Sequence, residues 1–170
     1  AGWERANWYA ESDQKREYEY SWKRQNWFEN SAQEHRAVRE NVGIYDMSSF
    51  GKIRVEGSEA CEFLNYISGA NCDVPIGKIV YTQFLNEDGG IEADVTVTRL
   101  SELSFMVVTP AATRLADQTW MLRHSINFNI VIIDVTSAEG VLAIMGPNSR
   151  KLLSQISSAD LSNQNNPFGT

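Results

Sequence analysis

The 170 residues carry 15 Lys+Arg against 22 Asp+Glu, a formal net charge of −7, and 42% of them are hydrophobic. Such a chain is long and apolar enough to bury a core, and its negative charge repels nucleic-acid backbones and anionic membrane surfaces. No stretch approaches the roughly 20 apolar residues of a membrane span and Ala1-Gly2-Trp3-Glu4-Arg5 lacks the regions of a secretory leader, so a cytoplasmic protein (mitochondrial matrix in a eukaryote) is expected, with neither nucleic acid nor membrane as partner.

Residues 1–30 hold four of the five tryptophans (Trp3, Trp8, Trp22, Trp27) and show no sustained helical or strand period. They are expected to form an aromatic strap, packed on this domain or on a neighbouring one, with residues 31–170 as the domain itself. Ser31-Ala32-Gln33-Glu34 reads as a capping box opening a helix that Gly43 closes. Residues 51–57 alternate apolar and polar side chains between two glycines, the pattern of a half-buried strand. Ser58 then reads as the cap of a second helix, whose Ala60, Phe63, Leu64 and Ile67 share one apolar face.

Residues 79–85 and 91–100 are β-rich runs on either side of Asn86-Glu87-Asp88-Gly89-Gly90, whose Asp-Gly-Gly supplies the positive φ of a hairpin turn. A further strand is expected at 105–108. Thr109-Pro110 reads as a helix N-cap with Pro at the first helical position, the helix running to about His124. Strands at 129–135 and 140–145 follow, and Gly146-Pro147 opens a last helix through 156. This order predicts an α+β fold, a mostly antiparallel sheet with helices packed on it. The polar tail at 162–170 is either a frayed end or a cut within a domain. Cys61 and Cys72 are too few for a disulfide framework and match no zinc-ligand spacing, so no metal site is expected.

The hairpin, with Tyr81-Thr82, Leu85-Asn86, Gly89-Gly90-Ile91 and Asp94, resembles a signature of the glycine-cleavage T-protein (aminomethyltransferase) superfamily. Two ordered blocks, 43–52 with Asp46-Met47-Ser48 and 145–150 with Gly146-Pro147 and Arg150, are similar to its first folate-site loop and a helix start. The wording of 91–100, of 27–29 and of 34–40 is most like the branch fused to dimethylglycine and sarcosine dehydrogenases. The resemblance implies the N-terminal part of a tetrahydrofolate-binding domain that captures the one-carbon unit of an iminium, made from a small N-methylated amine by a flavoprotein domain, as 5,10-methylenetetrahydrofolate. It places FAD in that separate domain, consistent with the lack of a G-x-G-x-x-G here. The family domain continues past Thr170, so these residues alone are expected to bind folate weakly or not at all and to be inactive.

Asp94 matches the family's catalytic Asp. Strand alternation sets Glu92, Asp94 and Thr96 opposite Ala93, Val95 and Val97, so the carboxylate need not enter the core. By spacing alone it is a solvated strand acid; the family match makes it the anion that orients the folate nitrogen and takes its proton. Tyr81 matches a position near the folate, where its ring stacks on the ligand or simply half-fills a strand site. Asp46, Met47 and Ser48 match a loop lining the folate pocket, with local backbone capping as the plainer reading. His35 and His124, each in a predicted amphipathic helix, are expected at the surface or in caps. The alternatives are a non-catalytic regulatory or assembly relative that keeps the fold, and a glycine-cleavage aminomethyltransferase, which the long aromatic strap disfavours.

Overall fold

The computed structural model describes residues 6–170, so Trp3 lies outside the described residues. In chain order the elements are α1 (Phe28–Glu40), β1 (Gly43–Asp46), β2 (Gly51–Gly57), α2 (Ala60–Ile67), β3 (Ile79–Leu85), β4 (Ile91–Ser101), β5 (Ser104–Thr109), α3 (Arg114–His124), β6 (Ile130–Asp134), β7 (Leu142–Met145) and α4 (Ser149–Leu153). They fall into two compact units, one comprising residues up to Tyr45 with 144–159, the other Asp46–Ala143 with Asp160–Thr170. No helix among the described residues is long and apolar enough to cross a membrane.

In the first unit, the aromatic segment is fastened to α1 by side chains. Asn30, 7% exposed, donates from Nδ2 to the Tyr9 carbonyl (3.0 Å) and Gln14 Oε1 (2.7 Å). Tyr18 lies against Tyr20 and Trp27, and the Arg24 guanidinium sits 4.2 Å above the Phe28 ring. The helix opens at Phe28, three residues before the predicted cap. Ser31 already donates its N–H to the Trp27 carbonyl, so it has no orphan amide to cap, and its own carbonyl accepts from His35 Nδ1. Nor does Gly43 close the helix; Asn41 does, and Gly43 begins β1, which pairs with β7. The last helix ends earlier than predicted, at Leu153.

The second unit is an α+β body around a five-stranded sheet of order β3-β4-β5-β2-β6, every neighbouring pair antiparallel. One face carries Ile53, Val55, Phe84, Val95, Val97, Phe105 and Val107, all within 2% exposure, under Phe63, Leu64 and Ile67 of α2 and Met121 of α3. The predicted apolar face of α2 is therefore the one buried. Ser58 does not cap that helix. Its hydroxyl accepts from Asn129 Nδ2 (2.9 Å) while Glu59 accepts the Asn129 N–H, so both fasten the start of β6. Gly57 makes this approach possible: at φ +144° a Cβ would run into the Asn129 carbonyl.

Thr109 is likewise not an N-cap. A turn closed by Thr113 N–H on the Pro110 carbonyl delays α3 to Arg114, and the buried Thr109 hydroxyl donates to Asp117. Lys52 departs from the alternation read for 51–57. It lies on β2, between β5 and β6, and is 2% exposed rather than solvated, its ammonium donating to the Ser48 carbonyl.

Candidate functional site

The β3–β4 hairpin is built by its turn. Asn86 accepts through Oδ1 from the N–H groups of Asp88 and Gly90, and Gly89 takes φ +77°. A β-bulge between Phe84 and Leu85 then shifts the register by one residue, so that Gln83 faces Asp94 and Tyr81 faces Thr96. With Ala93 and Val95 directed into the core, Asp94 stands exposed on the other face of the sheet. Tyr81 Oη donates to Asp94 Oδ2 (2.9 Å) and Gln83 Nε2 to Asp94 Oδ1 (3.0 Å). Each oxygen of the carboxylate is thus held by a cross-strand donor from β3, with lone pairs to spare on each. Its acceptance of the phenol proton raises the Tyr81 pKa above the ordinary tyrosine value. The Tyr81 ring is 65% exposed.

Glu92 is excluded from this pair; its Oε1 accepts from Asn86 Nδ2 in the turn (2.8 Å).

Asp46, Met47 and Ser48 form a second group, on the turn before β2. Ser48 donates its N–H to Asp46 Oδ1 (2.9 Å), and its hydroxyl and amide hold the Asp46 carboxyl below the usual range. Met47 N–H donates to the Val141 carbonyl, Val141 N–H returns a bond to Ser48 Oγ, and Phe50 N–H closes the turn on the Met47 carbonyl. No hydrogen bond joins this turn to Asp94, but the register sets both at one end of the sheet. Thr96, Val108 and Lys52 form one transverse row. Asp94 lies two residues beyond that row on β4, and the turn enters β2 on the same side. Two inter-strand steps separate the strand of Asp94 from β2, on the order of 10 Å.

Five expected residues thus divide into a bonded pair, Tyr81 and Asp94, and a turn, Asp46 to Ser48, at the same sheet end. Gln83 and Lys52 were not expected. Residue spacing within the hairpin could have found Gln83 only with the bulge known. Both histidines are in helices, each donating Nδ1 to the carbonyl four residues earlier.

The whole chain, residues 1–170, matches the model of the GCVT N-terminal domain. It is 42% identical over 163 residues to a 4-methylaminobutanoate oxidase (formaldehyde-forming) of Paenarthrobacter nicotinovorans, covering 96% of this chain but 20% of the oxidase. The chain therefore spans about one fifth of that curated relative. Among solved structures it resembles the glycine cleavage system aminomethyltransferase T of Bartonella henselae, with TM-score 0.71 and 29% identity, over 82% of this chain and 39% of that one. The heterotetrameric sarcosine oxidase of Corynebacterium sp. U-96 shares the fold, with TM-score 0.58 and 16% identity, over 84% of this chain and 70% of that one.

Proposed function

The chain belongs to the GCVT N-terminal domain family, and on that premise we propose that it is the front of a tetrahydrofolate-binding domain serving a flavoprotein that oxidises an N-methylated amine, of the dimethylglycine or sarcosine dehydrogenase kind. It is an aminomethyltransferase-type domain related to the T-protein and to the sarcosine oxidase family. In this reading FAD belongs to a separate domain. The one-carbon unit of the iminium would pass to tetrahydrofolate as 5,10-methylenetetrahydrofolate, the carbon–nitrogen bond to the amine breaking and the demethylated amine leaving with a proton given up by the folate nitrogen.

A single observation carries the reading: an exposed carboxylate, Asp94, fixed by Tyr81 and Gln83 beside an exposed aromatic ring. Those groups suit a folate. The carboxylate accepts from a ring N–H, the Tyr81 ring offers a stacking face, and Met47 offers a polarisable apolar contact. When bound, the folate supplies the nucleophilic nitrogen. Asp94 then takes the proton that nitrogen loses and stabilises positive charge near it, and the two cross-strand donors keep the carboxylate aimed without neutralising it. Asp46, kept ionised by Ser48, adds negative charge at the same sheet end.

The oxidase of Paenarthrobacter nicotinovorans supports the amine class, since 4-methylaminobutanoate carries an N-methyl group. Its formaldehyde also favours a second reading, in which the one-carbon unit is released by hydrolysis and this domain captures nothing. Both are tested in the full-length protein supplied with an N-methylated amine and tetrahydrofolate. Under the first, D94N leaves amine turnover unchanged while methylenetetrahydrofolate falls by about two to four orders of magnitude and formaldehyde rises to match. Equal methylenetetrahydrofolate from D94N and wild type removes Asp94 from the chemistry; formaldehyde alone from the wild type, at saturating tetrahydrofolate, establishes the second.

A further inference from the structure

The buried Lys52 ammonium is used by nothing in the chemistry above. A charge of this kind is costly to bury, and a Leu or Met would fill the space without that cost. The side chain is 2% exposed, yet among the described residues its one hydrogen-bond acceptor is the carbonyl of Ser48, at 2.7 Å. That carbonyl lies in the Met47–Phe50 turn, and the charge also acts on Asp46 at the start of the same turn. The Lys52 amide donates to Thr136 Oγ1 (3.0 Å), which fixes the base of the side chain to the turn that follows β6. On the sheet, Lys52 shares a transverse row and a face with Thr96 and Tyr81, the face from which Asp94 projects.

We propose that Lys52 is a positioning residue for the candidate folate site: its ammonium, anchored on the sheet face that carries Asp94 and Tyr81, caps the Ser48 carbonyl and sets the conformation of the turn bearing Met47. It rests on the folate reading. A hydrogen bond from a full charge is about twice as strong as a neutral one, and it comes from a rigid central strand, so the turn is held in the absence of ligand. The Ser48 amide and hydroxyl are engaged with Asp46 and Val141, and its carbonyl accepts from the Lys52 ammonium on β2.

The test uses the full-length protein with K52M, which keeps the length of the stem and removes the charge, and K52Q, which keeps an N–H donor. Expected for K52M is a KM for tetrahydrofolate raised about tenfold or more, as loss of one charge-assisted hydrogen bond implies, with amine turnover and the kcat of transfer within about twofold. Hydrogen exchange at the Met47 and Phe50 amides should quicken while exchange in β3 and β4 stays as in wild type. K52Q should lie between the two. An unchanged KM with unchanged exchange at Phe50 overturns the proposal, as does loss of the fold in both variants, since Lys52 would then be only a core residue. If D94N retains full transfer, the folate reading fails instead; D94N behaving as expected beside an inert K52M isolates the failure to Lys52.

Discussion

Asp94 and Tyr81 share one proton-bearing hydrogen bond, and that bond is measurable without any ligand. A phenol that donates to a carboxylate resists ionisation, so the Tyr81 pKa lies above its ordinary value near 10. The sign follows: whatever the bond contributes to folding is present below the unfolded tyrosine pKa and is lost as pH rises through the higher folded value. In D94N the acceptor is neutral, and the Tyr81 titration, followed by tyrosinate absorbance on the 170-residue chain, should move down toward 10. An unmoved titration would separate the two side chains in solution. Asp94 itself was legible from strand alternation plus the family signature. Gln83 was not, because counting back from the Leu85–Ile91 pair with regular pairing puts Thr82 across from Asp94, and only the bulge brings Gln83 there. Lys52 escaped for another reason: alternation reports which side chains differ, and is silent on whether a strand is central in its sheet and on what its polar side chains then bond.

At the scale of elements, the strands from 51 onward were read well, β1 (Gly43–Asp46) was missed because Gly43 was read as a helix end, and the helix starts were read badly. Each strand run had its own period and its own turn residues, whereas Ser31, Ser58 and Thr109 are cap-type residues whose groups serve other partners: the helix itself, Asn129 and Asp117. Tertiary competition for a hydroxyl leaves no local mark. The docking of α3 onto β6 depends on such a partner, the Asp134 carboxylate, which Arg114 engages and which accepts the Thr136 N–H at 2.9 Å. The Thr136 hydroxyl and amide, with Arg114 beside them, hold the Asp134 pKa below its usual value. A depressed carboxylate stabilises above its unfolded pKa, and the benefit disappears as pH falls through the folded one. Wild type should therefore exceed D134N by about 1 to 2 kcal/mol at neutral pH, with the gap closing below about pH 4 as the carboxylate protonates. Urea midpoints of both proteins at two pH values decide it; a gap that persists in strong acid would assign the effect to shape rather than charge.

For the molecule as a whole, the α+β class follows from the order of the elements, but the order of strands within the sheet does not. Nothing in residues 51–57 says that they will lie between 104–109 and 130–134. That insertion has a kinetic consequence. The β3-β4-β5 meander closes through short loops, whereas β2 must wait for partners about 50 and 80 residues further on, and closing such loops costs entropy before any contact rewards it. Folding should pass through a barrier at which the meander is formed and β2 is still unpaired. Truncating a meander core residue, V95A, should then slow refolding, while V55A, at the centre of β2, should chiefly hasten unfolding, a contrast that stopped-flow chevrons resolve. Equal effects on the refolding limb would mean that β2 docks early. On a ribosome the same order leaves β2 made but without its first neighbour until residue 109, and without its second until residue 134, has emerged, so the span between the synthesis of β2 and that of β6 is the interval in which the nascent chain has the most reason to meet a chaperone.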